Sequence, residues 1–144
     1  MRELLLSLEV AGACALLALL GLLLVVVRRR RLTGRLGTFD CSVRHPGSRR
    51  WALGVARYET DRLDWYRTFS LSPRPSRSFA RGALGVMSRR DTEGNERLAV
   101  QPDAIVVECR HGGASLELAM SADAYTGFAS WLESAPPGQN VNVA

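Results

Sequence analysis

A single membrane-spanning helix followed by a small, mainly β domain closed by one C-terminal helix is the fold class this sequence predicts. Three observations carry the prediction. An apolar run fills residues 4–27 and stops at Arg28, Arg29, Arg30 and Arg31. From Phe39 onward apolar residues recur with a period of two, the spacing of a strand with one buried face. From Ser121 the period becomes that of a helix.

The apolar run carries one charge, Glu9, and residues 10–27 carry none. Eighteen residues give about 27 Å of helix and the full run about 36 Å. The hydrocarbon core of a bilayer is about 30 Å thick. Each arginine placed at its centre costs about 2.5–3.5 kcal/mol, so Arg28, Arg29, Arg30 and Arg31 act as a membrane stop. A cleaved signal peptide would want a positive leader, a short apolar stretch and a small-x-small site. Here Glu3 offsets Arg2, the apolar stretch is long, and no small-x-small pair lies between Leu22 and Arg28. A lipoprotein signal would use Cys14, which lies inside the run rather than after it. The positive-inside rule then orients the chain, with the N-terminus outside and the domain in the cytoplasm. The expected division is an outer terminus at 1–3, a transmembrane helix at 4–27 and a basic connector at 28–37. A β domain follows at 38–135 and a flexible tail at 136–144. Residues 32–38 reach only about 25 Å when extended, which keeps the domain against the membrane.

Phe39, Cys41 and Val43 mark the first strand, and residues 45–48 a turn. Residues 51–58 form the second strand, with Leu53 and Val55 on one face. After a turn at 59–61, residues 63–69 read as a third strand carrying Trp65, Tyr66 and Phe69. Pro73 and Pro75 place a loop at 70–78. Residues 79–90 are a broken strand in which Gly82 and Gly85 mark bends or bulges. Residues 91–95 are a turn cluster. Residues 96–100, 104–110 and 114–120 are three further short strands separated by hairpin chemistry, including His111-Gly112-Gly113. Ser121 is a good helix N-cap and Asp123 suits the first turn. Tyr125, Phe128, Ala129 and Leu132 share one helical face, with Trp131 beside it. Pro136-Pro137-Gly138 ends the helix.

This order, about seven short strands and then one amphipathic helix, resembles the pleckstrin-homology-like fold, a bent barrel capped by a C-terminal helix. The resemblance covers residues 39–133 and includes an aromatic, Trp131, on the capping helix. The chain as a whole also resembles an actinobacterial family of single-span proteins with a domain of unknown function. Residues 39–44, 53–58, 69–75 and 128–138 carry that resemblance. It implies a membrane location and a GC-rich host, and no activity.

All 19 basic residues are arginine. A GC-rich genome produces that bias, and so does selection for bidentate phosphate contacts. The net charge of +5 hides a gradient. Residues 28–90 hold 16 arginines against 4 acids, a balance of +12, whereas residues 91–144 hold 2 arginines against 8 acids, a balance of −6. Such asymmetry suggests an anionic partner for the basic half. Cys41 and Cys109 fall on apolar strand positions and read as buried reduced thiols. A bridge between them requires an extracytoplasmic domain.

Catalytic chemistry is not legible. His45 and His111 sit in turns, away from metal-ligand spacing. There is no glycine-rich phosphate loop and no nucleophile elbow. No cofactor, no metal and no nucleic acid are expected, and the chain reads as a non-enzyme. The basic constellation is the best candidate site. Arg44, Arg49 and Arg50 bracket the first turn, Arg57 lies along the next strand, and Arg74, Arg77 and Arg81 cluster about the Ser/Pro loop. In pleckstrin-homology-like domains the first turn is where basic residues meet inositol phosphates. The expected function is a membrane-anchored, non-enzymatic interaction or scaffold module. Its partners would be the bilayer, through the anchor, and a membrane or cytoplasmic protein. The alternative is a reader of anionic lipid headgroups, and an enzyme of unknown reaction is the remote one.

Overall fold

The structure, a computed structural model, describes residues 1–34 and 36–134. The chain begins with helix α1 (Arg2–Thr33), of which Leu5–Arg31 is long and apolar enough to cross a membrane. None of that span is buried against the rest of the protein. Its leucines and valines are exposed along the helix rather than packed in the core of the domain.

Eight strands follow: β1 (Thr38–Asp40), β2 (Ser42–Arg44), β3 (Gly54–Tyr58), β4 (Arg62–Arg67), β5 (Arg77–Ala80), β6 (Leu84–Asp91), β7 (Ala104–His111) and β8 (Ala114–Ser121). They form two four-stranded antiparallel sheets, ordered β1-β3-β4-β5 and β2-β8-β7-β6. β1 and β2 are one strand bent at Cys41, which starts in the first sheet and ends in the second. Seven strand segments in this order, closed by a C-terminal helix, make the pleckstrin-homology-like architecture expected from the sequence. The barrel is bent sheets rather than a closed ring, because β5 and β6 are sheet edges that do not pair with each other. A single 3₁₀ turn (Arg81–Ala83) carries the chain between them.

Helix α3 (Ala122–Glu133) covers the opening between the sheets. The Ser121 side chain caps it by accepting the Ala124 N–H at 3.1 Å. Phe128 is 0 % exposed, and Tyr125, Trp131 and Leu132 pack on the same core. Trp131 does more than flank the apolar face. Its indole N–H donates to the Glu59 carbonyl at 3.0 Å and its ring lies 5.4 Å from that of Tyr58. Pro136-Pro137-Gly138 and the tail at 136–144 lie outside the described residues.

Several local expectations change. Residues 96–100 are not a strand: Glu96–Ala99 is one helical turn, α2. β7, the strand that follows it, already has β6 and β8 on its two sides, so the segment cannot pair there. The Glu96 carboxylate is instead held by Arg44 and Arg90. The third strand ends at Arg67, leaving Phe69 in the loop at 78 % exposure. In the second strand the core-facing residue is Ala56, opposite Trp65, while Val55 pairs with Tyr66 on the other face. Leu53 and Val55 therefore share a face, but it is the outer one. The break at 79–90 is the 3₁₀ turn containing Gly82. Gly85 stays in register with Arg110, and the irregularity falls between Val86 and Ser88.

Candidate functional site

Alternate turns of an up-and-down sheet lie at the same end of it. The β2–β3 connection and the β4–β5 connection therefore meet, and an open cleft of about 800 Å³ lies between them. His45, Ser48, Arg50, Arg67, Ser76 and Arg77 supply its polar lining, and Trp51, Trp65 and Phe69 its apolar wall. No aspartate or glutamate lines it. The first of these loops is shaped locally. Ser48 N–H donates to the His45 carbonyl at 3.0 Å, and Gly47 between them takes a φ of +79° that favours glycine. Ser48 Oγ then accepts the Arg50 N–H at 3.2 Å, which sets Arg50 on the rim.

The folded protein sorts its arginines into two groups. Arg44 pairs with Glu96 at 2.8 Å and with Glu117 at 2.5 Å, and its guanidinium lies over the Trp51 ring. Arg57 pairs with Glu59 at 2.6 Å. Arg81 is buried, with its guanidinium 4.5 Å from the Trp131 ring centroid. These three serve the domain's own structure. Arg49 and Arg74 are exposed but do not line the cleft. Arg50, Arg67 and Arg77 do line it, and none has a carboxylate partner among the described residues. Part of the charge gradient along the chain thus disappears on folding: acids of the C-terminal half, Glu96 and Glu117, neutralise Arg44 and Arg90.

Two ring nitrogens at the cleft, His45 Nε2 and Trp51 Nε1, are buried with no hydrogen-bond partner among the described residues. Burial, and then the neighbouring Arg77 charge, hold the His45 imidazole below its ordinary pKa. Arg67 escaped the sequence reading because it looked like a strand residue. Its parity is the clue: Leu63, Trp65 and Arg67 share one face, and a cation on the core face at a strand's end points into the mouth of the sheet.

Arg28, Arg29, Arg30 and Arg31, expected from the sequence to be a membrane stop, lie in the last turns of α1. Arg28 Nη1 donates to the Arg67 carbonyl at 3.3 Å and Nη2 to the Ser72 carbonyl at 2.9 Å. Leu24, Val27, Arg28 and Arg31 form one wall of a crevice whose other wall includes Tyr66, Leu71 and Pro73. The β4–β5 loop therefore touches the end of the apolar helix on one side and the cleft on the other. No cluster of residues suited to a metal ion occurs among the described residues.

A family model described as "Protein of unknown function (DUF2550)" matches residues 15–138. The uncharacterized protein Rv1312 of Mycobacterium tuberculosis is 34% identical over 94 residues, which cover 62% of this chain and 64% of that protein. The uncharacterized protein ML1147 of Mycobacterium leprae is 32% identical over 94 residues, with the same coverage. The chain spans just under two thirds of the length of these relatives. Among solved structures, the C-terminal PH domain of human FYVE, RhoGEF and PH domain containing protein 3 superposes with a TM-score of 0.46 at 16% identity. That match covers 71% of this chain and 91% of that domain.

Proposed function

The chain belongs to the DUF2550 family, and from that premise we propose that it is a non-enzymatic, single-pass membrane module with its β domain at the cytoplasmic face. Its cleft at Arg50, Arg67 and Arg77 binds an anionic lipid headgroup there. The observation that carries this reading is the cleft itself: three arginines without carboxylate partners, no acid in the lining, and two unpartnered ring nitrogens. Guanidinium groups match phosphate oxygens bidentately. An inner leaflet supplies anionic groups at high local density, and its surface potential is worth about 1 kcal/mol for each arginine held near it. The anchor delivers the domain to that surface, so the cleft selects and orients rather than recruits.

The test uses the full chain in zwitterionic detergent micelles, with tryptophan emission as the readout because Trp51 and Trp65 wall the cleft. Micelles carrying phosphatidylglycerol are expected to give a saturable change that phosphatidylcholine does not. Glycerophosphate in solution should compete, and the response should fade as salt shortens the Debye length from about 10 Å at 0.1 M to about 3 Å at 1 M. Replacing Arg50 and Arg77 together by alanine should abolish it, whereas Arg97→Ala should not. Equal responses to both lipids, or none at low salt, would overturn the headgroup reading and leave a protein partner as the ligand.

A further inference from the structure

We propose that the β4–β5 loop is a second membrane contact, seating Phe69 and Leu71 in the interfacial layer of the bilayer beside the anchor. The inference rests on the reading of α1 as a membrane span. Single exposed apolar side chains are ordinary, but several clustered together mark a contact surface. Outside α1, Phe69 is 78 % exposed, Leu71 68 % and Leu98 90 %. All three lie around the end of the helix. Leu71 shares a crevice with Leu24 and Val27. Phe69 and Leu98 share another with Arg29.

Depth follows from the helix itself. Leu24 and Val27 belong to the uncharged stretch of the span, four residues and one residue before Arg28. A helical turn rises about 5.4 Å, so a side chain packed beside Leu24 and Val27 sits at the hydrocarbon boundary, not in bulk water. The two hydrogen bonds from Arg28 to the Arg67 and Ser72 carbonyls hold the loop at that level. They also occupy a guanidinium that would otherwise face the apolar layer. The loop chemistry agrees with the depth. Apolar Phe69 and Leu71 lead, and Arg74, exposed three residues later, is placed to meet phosphates. Aromatic and aliphatic groups with a flanking cation are what an interfacial segment needs. The committed occupant is therefore the phospholipid interface, continuous with the lipid around α1. A docked loop also fixes how the domain stands, with the adjoining cleft at the membrane surface rather than swinging on the connector.

The experiment places an environment-sensitive nitrobenzoxadiazole label on the full chain in phosphatidylcholine–phosphatidylglycerol nanodiscs. Cys14 is replaced by serine and single cysteines are introduced as Phe69→Cys, Leu71→Cys or, on the distant β6 edge, Met87→Cys. Cys41 and Cys109 are buried and stay unlabelled. The wild-type Cys14 labelled in detergent before reconstitution reports on the span. Labels at 69 and 71 are expected to shift to the blue and to be quenched by lipids carrying a nitroxide near the headgroup. The label at 87 should be quenched only by aqueous iodide. Iodide quenching at 69 and 71, with Cys14 quenched by a mid-chain nitroxide, overturns the docked loop while leaving the anchor. Failure of the Cys14 label to meet the mid-chain nitroxide overturns both.

Discussion

Trp65 donates its indole N–H to the carbonyl oxygen of Cys41 at 2.8 Å, at the point where the first strand leaves one sheet for the other. Both residues are buried. The bend interrupts regular ladder pairing, and a side chain supplies the missing donor. Gly54 completes the arrangement: a Cβ there would overlap the indole ring of Trp65. Trp65→Phe keeps most of the apolar volume but strands the carbonyl, and should cost about 1–3 kcal/mol. Gly54→Ala should cost a similar amount through overpacking, about 1–3 kcal/mol. Thermal unfolding of the full chain in micelles, followed by near-ultraviolet circular dichroism, measures both. Unchanged midpoints would mean that the bend does not depend on Trp65.

The capping helix is the next dependence. Phe128 reaches the centre of the core, so Phe128→Ala should cost about 3–5 kcal/mol. Leu132→Ala, at a half-buried position, should cost less, near the lower end of about 2–5 kcal/mol. Equal stability of wild type and Phe128→Ala would show that α3 does not close the sheets.

The period change at Ser121 made α3 legible, and Val107 and Cys109 in β7 with Leu116, Leu118 and Met120 in β8, spaced two apart, made those strands legible because they line the common core. Legibility failed where a tertiary partner decided the outcome. The segment at 96–100 carries the good helix formers Glu96, Arg97, Leu98 and Ala99, and its glutamate is taken by two arginines from other strands. Phe69 looks like a core aromatic, yet it lies beyond the last residue that pairs with β5. The cleft was half legible: Arg50 and Arg77 stood out as loop arginines, while Arg67 and His45 were hidden in a strand and a turn. Which arginines are already neutralised cannot be read along the chain, since Arg44 meets its acids 52 and 73 residues away.

Those pairs make the domain acid-sensitive. The hydrogen bonds from Arg90, and to a smaller extent its charge and that of Arg44, push the Glu96 carboxyl down to about 2. Glu117 is lowered too, first by its hydrogen bond from Arg44. A carboxyl with a depressed folded pKa contributes stability that is complete above its ordinary value near 4.5 and is lost as pH falls towards 2. Arg90→Gln should therefore lower stability most at pH 7, where the contribution is complete, and move the acid-unfolding midpoint upward, with the difference from wild type shrinking as pH approaches 2. Glu133→Gln, at the exposed end of α3, should leave the midpoint where it was. Coincident acid-unfolding curves for Arg90→Gln and wild type would show that the network carries no linkage.

The cysteines give an independent readout of core integrity. Burial raises the Cys41 thiol far above its ordinary range and raises Cys109 to about 12. The thiolate is the reactive form, so neither should react with iodoacetamide at pH 8 in the folded chain. Both should react once urea unfolds the domain. Fast labelling of either in native conditions, read by mass spectrometry, would place it at the surface.

Topology decides what all of this surface chemistry can meet. The uncharged stretch before Arg28, the four arginines after it and the unburied flanks of α1 together predict N-outside, C-inside insertion. A C-terminal fusion to green fluorescent protein should fluoresce in cells, and one to alkaline phosphatase should be inactive. The mature chain should keep its first 27 residues, which N-terminal sequencing checks. That orientation would place Cys41 and Cys109 in a reducing compartment. An active phosphatase fusion would put the cleft outside the cell. Replacing Arg28, Arg29, Arg30 and Arg31 by glutamine while adding arginines before Leu4 should invert the reporters, because the charge bias sets the orientation. Reporters unmoved by that exchange would show that the domain, rather than the arginine block, fixes the topology.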